Sequence, residues 1–240
     1  MTSRNQTTVL YLHGFASSPA STKATFFNGR LEGLVNSVLV PDLNGRSFRS
    51  MTISSQLEII QSALAGVDPG DRLVVIGSSM GGLLAVLCAP GCPNLEALVL
   101  LAPGFGLPRR WTQLLGSTGV ERWKENGHTE VFHHGLNRES KLDYGFLIDA
   151  ERYRTDGLTV NVPTLVFHGQ HDETVPISES LEFARVNCDL VDLRILDDGH
   201  ELIEPLEEIW AGTIRFLIKV GILTTGDSPA LDTLEQHKVS

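Results

Sequence analysis

Cysteine is scarce in this chain of 240 residues, which contains three, Cys88, Cys92 and Cys188. An odd and small number of cysteines is too few for the disulfide framework of many secreted proteins, and it fits a reducing compartment. Residues 1–8 also lack the apolar stretch of a secretory signal. The expected location is therefore the cytoplasm.

Long apolar runs are missing as well. No run approaches the roughly 20 residues that a membrane-spanning helix requires, so we expect no membrane span. The hydrophobic residues, 42% of the total, are spread along the chain, and a chain of this length can bury a sizeable core. We therefore expect a single domain over residues 1–240.

Positive charge is in deficit, with 19 Lys and Arg residues against 29 Asp and Glu residues and a formal net charge of −10. An acidic chain repels the phosphate backbone of nucleic acids. We therefore expect a small-molecule partner and no nucleic-acid partner. These bulk properties give no prediction of the oligomeric state.

Short apolar runs alternate with segments of helical spacing. Strands are predicted at 9–12, 38–40, 73–76, 95–102, 164–167 and 190–196, and helices at 21–35, 52–67, from about 83, at 178–186 and at 203–220. Strands that alternate with helices in this way predict a parallel sheet with helices on both faces. The strand at 190–196 alternates apolar and charged side chains, as a strand near the sheet edge would.

The alternation is interrupted between residues 105 and 161. We find no convincing buried strand there, and the segment carries Trp111 and Trp123 among charged residues. A connection this long in a compact domain is usually functional or forms its own helices. We predict a small, mostly helical cap insertion at about 105–161, with both tryptophans in its core, and a loose polar tail at about 224–240.

The sequence Gly-Ser-Ser-Met-Gly at 77–81 joins a predicted strand to a predicted helix. Gly-x-Ser-x-Gly in that context is typical of a nucleophile elbow, a tight turn that exposes the central serine. Its flanking positions leave no room for a Cβ. The motif predicts Ser79 as a nucleophile, and an ordinary turn between strand and helix is the alternative.

Two other strand ends carry the groups that Ser79 would need. A serine hydroxyl is a weak nucleophile, so a histidine must take its proton and a carboxylate must orient that histidine. Asp172 and His200 each follow a predicted strand. Because the loops after parallel strands meet at one edge of a sheet, we expect Ser79, Asp172 and His200 to lie together.

These motifs resemble those of the α/β-hydrolase superfamily: the elbow at 77–81, His-Gly-x-x-Asp-x-x-Val-Pro at 168–176 and Asp-Gly-His at 198–200. More narrowly, Tyr-Leu-His-Gly-Phe-x-Ser-Ser-Pro at 11–19, followed by Lys23, is similar to small bacterial esterases of the YqiA type. The resemblance extends from Val9 to about Val220. It implies an α/β-hydrolase fold, with a mostly parallel central sheet, helices on both faces and a small helical cap.

The resemblance also implies an oxyanion hole made of the backbone N–H groups of Phe15 and Met80. With these donors, the expected reaction is hydrolysis of carboxylic esters of small to medium acyl groups through an acyl-Ser79 intermediate. His200 would act as general base and then as general acid, and Asp172 would orient it. Water would be the second substrate, and neither a cofactor nor a metal is expected.

Other assignments of the acid and of the remaining polar residues stay open. Asp172 could instead cap the next helix or pair with His171, and Asp143 or Asp149 in the cap could supply the carboxylate. Asp42 is expected to stabilise its own turn. His13 is expected to shape the oxyanion loop. His133 and His134 are expected to be solvated or packed in the cap. The pair His168 and His171 does not predict a metal site.

Two other functions remain open as well. An acyl thioesterase would use the same three residues, and a non-catalytic ligand receptor could keep the fold without needing them. The presence of all three residues argues against the receptor. The acyl group and the physiological substrate are not predicted by the sequence.

Overall fold

The computed structural model describes residues 6–153 and 155–224, and this part of the chain contains eight strands and seven α-helices. The strands are β1 (Thr7–Leu12), β2 (Ser37–Leu39), β3 (Arg72–Ser78), β4 (Leu95–Leu101), β5 (His128–His133), β6 (Arg138–Asp143), β7 (Thr164–Gly169) and β8 (Val191–Leu196). The helices are α1 (Thr22–Leu31), α2 (Ile53–Leu64), α3 (Met80–Cys88), α4 (Leu107–Asn126), α5 (Gly145–Ala150), α6 (Ile177–Val186) and α7 (Leu206–Lys219).

Six strands form one sheet in the order β2-β1-β3-β4-β7-β8, and every neighbouring pair is parallel. The inner strands β1, β3, β4 and β7 are almost entirely buried, as expected for a parallel sheet covered on both faces. β8 lies at the edge and is only partly buried. The predicted α/β fold class and the predicted edge position of this strand are confirmed.

The two faces of the sheet carry separate apolar clusters. Because side chains alternate along a strand, Val9 and Tyr11 of β1 face one cluster while Leu10 and Leu12 face the other. The first cluster includes residues of α1 and α7, and the second includes residues of α2, α3 and α6. Each large apolar side chain buried in this way stabilises the fold by about 1.5–3 kcal/mol.

The segment between β4 and β7 contains α4, α5 and an antiparallel hairpin of β5 and β6. The prediction of a mostly helical cap was therefore incomplete. The hairpin escaped prediction because Val131, Phe132 and Leu142 are the only apolar residues in its two strands, so no buried apolar run marks it. α4 is also interrupted at Gly116, where φ is 63°.

The two tryptophans of this segment pack together, with ring centroids 5.2 Å apart. Trp123 is buried, and its indole Nε1 donates a hydrogen bond to the Leu142 carbonyl at 3.0 Å. This bond joins α4 to the hairpin. Trp123 thus lies in the core of the segment as expected, whereas Trp111 is only partly buried.

Some element boundaries differ from the prediction. The first helix ends at Leu31 and not at Val35, and the last begins at Leu206, just after Pro205. Apart from Thr224, the predicted polar tail lies outside the described residues. Within residues 6–153 and 155–224, no helix is both long enough and apolar enough to cross a membrane.

Candidate active site

Ser79 lies in a sharp turn between β3 and α3. Its φ of 52° and ψ of −118° fall in a region that non-glycine residues rarely occupy, and such conformations cluster at functional sites. Backbone bonds hold the turn: the Ser79 N–H donates to the Leu101 carbonyl at 2.8 Å, and its carbonyl accepts from the Gly104 N–H at 2.7 Å. The strained turn is therefore fixed by the neighbouring strand β4.

The glycines on either side of Ser79 are required by close packing. A Cβ on Gly77 would collide with the carbonyl of Gly81, and a Cβ on Gly81 would collide with the carbonyl of Leu12 at the end of β1. The start of α3 can approach the sheet only if both positions lack a side chain. This geometry agrees with the elbow predicted from the sequence.

Ser79, His200 and Asp172 form one chain of hydrogen bonds. The Ser79 Oγ lies 2.9 Å from the His200 Nε2, and the His200 Nδ1 lies 2.7 Å from the Asp172 Oδ2. An ionised carboxylate only accepts, so Nδ1 carries the proton and Nε2 is left to accept one from the serine hydroxyl. The structure thus brings the three predicted residues together, in a tautomer suited to deprotonating Ser79.

Asp172 is enclosed by donors. Its side chain is fully buried, and its Oδ1 accepts hydrogen bonds from the N–H groups of Thr174 at 2.9 Å and Val175 at 2.7 Å. Burial by itself would raise the pKa of the Asp172 carboxyl, but hydrogen bonds to His168 and His200 outweigh it and hold the pKa well below its usual range. Asp172 is therefore ionised wherever His200 is needed as a base.

His168 is a part of the site that the sequence analysis did not identify. Its Nε2 lies 3.2 Å from the Asp172 Oδ2 and 2.9 Å from the Val175 carbonyl, and its Nδ1 lies 2.7 Å from the Ser180 Oγ. The carbonyl can only accept, so Nε2 carries the proton. His168 therefore holds the loop around Asp172, and its place four residues before that aspartate in the sequence was the available signal.

The loop after β1 approaches Ser79 from the other side. A Cβ on Gly14 would lie 3.3 Å from the Ser79 Cβ. His13 fixes this loop, because its Nε2 accepts from the Leu43 N–H at 3.0 Å and its Nδ1 lies 2.9 Å from the Gly14 carbonyl. Burial lowers the pKa of His13, which agrees with a neutral ring in this bonding pattern. The expectation that His13 shapes the loop agrees with this geometry.

Two backbone donors near Ser79 lack a protein acceptor within the described part of the chain. The Phe15 N–H belongs to the loop after β1, and the Met80 N–H is the first of α3, where helix N–H groups have no intrahelical partner. The positive end of the α3 dipole adds to the attraction for an anion. These are the donors that the resemblance implies for an oxyanion.

The two alternative carboxylates, Asp149 and Asp143, bond to residues other than His200. Asp149 accepts hydrogen bonds from the Ser54 N–H at 2.7 Å and the Ser54 hydroxyl at 2.6 Å, and Asp143 pairs with Arg49 at 2.8 Å. Neither contacts His200, so the geometry does not support the alternative in which this segment supplies the carboxylate.

Local partners also account for His171, Asp42 and His133. His171 pairs with Asp197 at 2.9 Å and not with Asp172. Asp42 accepts from the Asn44 N–H at 3.0 Å, as expected for a turn residue. His133 is buried against Phe48, with ring centroids 4.6 Å apart. Within residues 6–153 and 155–224, no group of three or more His, Cys, Asp or Glu side chains is placed to hold a metal ion.

A cavity of about 1080 Å³ contains Ser79 and His200 in its lining. Its apolar lining includes Phe15, Leu107, Trp111, Leu114, Phe132 and Ile203. Three of these belong to α4 and one to β5, so the segment between β4 and β7 forms much of the wall. The cavity is large enough for a substrate of drug size or above.

The fold is shared with solved α/β hydrolases. The chain is 22% identical to a protein of Agrobacterium vitis S4 assigned as a hydrolase, with a TM-score of 0.77 over 88% of each chain. It is 19% identical to mouse alpha/beta hydrolase domain-containing protein 10, with a TM-score of 0.75 over 89% of this chain and 90% of that one. Est1E from Butyrivibrio proteoclasticus is 22% identical, with a TM-score of 0.71 over 91% of this chain and 90% of its own.

These likenesses establish the α/β-hydrolase fold that the motifs predicted. The search of curated protein sequences found no match. The profile of a family described as "Uncharacterised protein family (UPF0227)" matches residues 8–216, nearly the whole of the described chain. The chain therefore belongs to the UPF0227 family, and its resemblance to YqiA-type α/β hydrolases is confirmed.

Proposed function

We propose that this protein is a serine hydrolase that cleaves carboxylic esters of small to medium acyl groups. The observation that carries the proposal is the hydrogen-bonded chain from Ser79 through His200 to Asp172 at the wall of a large cavity. A serine in a strained turn, a histidine in the correct tautomer and a buried carboxylate are the parts that acyl transfer requires.

The first half of the reaction forms an ester on the enzyme. The Ser79 Oγ attacks the carbonyl carbon of the substrate while the His200 Nε2 takes the hydroxyl proton. The resulting oxyanion accepts hydrogen bonds from the N–H groups of Phe15 and Met80, and one such donor is worth about 3 kcal/mol in comparable sites. The intermediate then collapses, the bond to the alcohol oxygen breaks, and His200 gives its proton to the departing alcohol.

The second half returns the enzyme to its starting state. Water attacks the acyl carbon and gives a proton to His200, which passes it to the Ser79 oxygen as the acyl bond breaks. The products are a carboxylic acid and free Ser79. Asp172 stays ionised throughout and stabilises the imidazolium that forms in each half. The steps use groups of this chain, the substrate and water.

The names of the structural neighbours agree with this reaction class. Est1E has also been solved with ferulic acid bound, and that structure is 20% identical to this chain with a TM-score of 0.73 over 90% of this chain and 89% of its own. An ester of an aromatic acid therefore belongs in the substrate panel beside simple acyl esters. An acyl thioester belongs there too, because the same nucleophile and oxyanion donors would serve it.

Two broader proposals accompany this function. We infer that residues 105–161 act as a cap that sets the acyl preference, because α4 and β5 line the cavity. A reducing compartment such as the cytoplasm is the proposed location, since Cys88, Cys92 and Cys188 are all free thiols.

The test combines labelling by a fluorophosphonate with turnover of a panel of acyl esters, a ferulate ester and acyl thioesters. We expect the wild type to be labelled and to hydrolyse esters faster than thioesters, and Ser79→Ala to lose both activities. The neighbouring variant Ser78→Ala is the matched control and should still be labelled. Absence of labelling in the wild type, or equal labelling of Ser79→Ala, would show that the chain is not a serine hydrolase of this kind.

A further inference from the structure

We propose that Arg110 forms an anion-binding subsite in the Ser79 cavity, so that the preferred esters carry a carboxylate group away from the ester bond. This inference rests on the proposed function and adds the substrate class. It follows from a comparison of the two cationic side chains in the cavity lining, Lys23 and Arg110.

Lys23 already has a carboxylate partner. Its Nζ lies 3.4 Å from the Glu201 Oε2 and also donates to the Glu201 carbonyl. Glu201 follows His200 directly in the chain, so Lys23 ties α1 to the loop that carries His200. Its charge is balanced within the protein, and it is not free to bind a substrate anion without giving up that contact.

Arg110 has no such partner. Its Nε donates to the Phe105 carbonyl at 2.9 Å, and its Nη1 donates to the Thr174 carbonyl at 2.6 Å. A guanidinium has five N–H groups, so three remain without a protein acceptor in the part of the chain that the structure describes. The two carbonyls hold the guanidinium in place but do not neutralise it.

None of the described carboxylates pairs directly with this guanidinium. Glu179 pairs with Arg109 at 2.7 Å, and Asp172 is occupied by His168 and His200. Glu173 lines the cavity but is exposed, and no described carboxylate lies within ion-pair distance of Arg110. Glu179 and Asp172 lie near enough to favour the charged guanidinium, but neither accepts a hydrogen bond from it, so the remaining N–H groups are available to an anion in the cavity.

The surroundings make an anion favourable at this position. Arg110 is only partly exposed, and burial lowers the pKa of its guanidinium, which means that its charge has lost part of its hydration. Arg110 also lies in the first turn of α4, where the helix dipole is positive and no acidic side chain is present. A planar guanidinium whose position is fixed by two carbonyls suits the planar fork of a carboxylate.

The experiment compares pairs of ethyl esters that differ only at the far end. One member of each pair is the monoethyl ester of a straight-chain dicarboxylic acid, and the other has a neutral amide in place of the free carboxylate. We measure kcat/KM for each pair over several chain lengths. For at least one length, the wild type should prefer the carboxylate by about tenfold, the size expected for a charged hydrogen bond in a partly dry site.

Three variants identify the source of that preference. Arg110→Gln should lower the preference to about one by acting on the carboxylate ester alone, while Arg110→Lys should keep part of it because the charge remains. Arg122→Gln is the matched control, since Arg122 is an exposed arginine of the same helix and does not line the cavity. It should keep the wild-type preference.

A second readout does not depend on turnover. In Ser79→Ala, the carboxylate ester should raise the thermal midpoint more than its amide counterpart, and Arg110→Gln added to that variant should abolish the difference. The proposal is overturned if the wild type shows no preference at any length, or if Arg110→Gln slows both members of each pair equally, as a purely structural tether would. Hydrolysis of the neutral esters by Ser79 would in that case leave the proposed function intact.

Discussion

Two regions build the Ser79 cavity, and they hold their residues in different ways. The loops at the edge of the central sheet place Ser79, His200 and Asp172 through backbone hydrogen bonds, buried donors and glycine contacts. The segment between β4 and β7 contributes mainly through packed rings, with Trp111 lying 5.4 Å from Phe15 and 5.2 Å from Trp123 between centroids.

The difference indicates a division of roles. Hydrogen bonds and close backbone contacts tolerate little change, so a single substitution at the sheet edge should cause a large loss of activity or stability. Aromatic packing depends on shape and area and can rearrange, so changes in the cap should move the substrate preference more than they stop the reaction. If the roles are divided in this way, changes at the sheet edge should have the largest effects and changes in the cap the smallest.

The sharpest contrast is between the carboxylates of the two regions. Asp172→Asn should lower kcat by about 10⁴-fold, because the amide cannot hold His200 in the required tautomer. Asp149→Asn should leave kcat within about tenfold, since Asp149 bonds to Ser54 and does not contact His200. The measurement is steady-state hydrolysis of one acyl ester by both variants. A collapse in Asp149→Asn with retention in Asp172→Asn would place the acid in the cap.

A smaller effect is expected on the stability of the sheet edge. Gly81→Ala should lower the free energy of unfolding by about 3 kcal/mol or more, because the added methyl group meets the rigid Leu12 carbonyl. Gly29→Ala is the matched control, since a Cβ there has open space in the exposed part of α1, and it should raise stability by about 1 kcal/mol. Urea unfolding of both variants measures these values. Equal stability of Gly81→Ala and the wild type would contradict the close contact.

The stability of the folded chain should depend on pH through the Asp172 carboxyl. The pKa of this carboxyl is lower in the folded chain than in the unfolded one, so the unfolded chain binds more protons at acid pH. The stabilisation by Asp172 is present above the unfolded pKa near 4 and is lost as the pH falls further. In urea unfolding at several pH values between 7 and 3, the free energy of unfolding should therefore fall more steeply with decreasing pH for the wild type than for Asp172→Asn. Parallel curves would show that the carboxyl is not held ionised.

The mildest change is expected in the cap. Trp111→Ala removes an aromatic wall of the cavity and should shift the preferred acyl length upward, with kcat/KM ratios between long and short esters changing by about tenfold. A series of esters of increasing acyl length measures this shift, and Trp123→Phe serves as a control that keeps a ring in the cap core without lining the cavity. An unchanged length profile in Trp111→Ala would mean that the cap does not set specificity.

The sequence predicted the sheet edge better than the cap, for physical reasons. Gly-Ser-Ser-Met-Gly requires a strand before it and a helix after it, so one motif fixes the position of Ser79 within the fold. Parallel strands then bring Asp172 and His200 to the same edge whatever the details of the loops. The catalytic roles of these residues remain predictions until activity is measured.

The parts that were missed depend on contacts between distant segments. The hairpin β5–β6 has few apolar residues, and α4 reaches it through the Trp123 bond to Leu142. The spacing of four residues pointed to a pairing of His168 with Asp172, but the position of its ring between Asp172 and Ser180 is visible only in three dimensions. Arg110 is an ordinary charged helix residue in the sequence, and its missing carboxylate partner is visible only in three dimensions.

The central claim is that Ser79 is the nucleophile. The most direct measurement is mass spectrometry of the fluorophosphonate-treated wild type, digested so that the peptide containing Ser78 and Ser79 can be fragmented. The account predicts one adduct, on the Ser79 oxygen, that forms much more slowly when His200 is replaced by Gln. An adduct on another residue, or labelling that does not depend on His200, would contradict it.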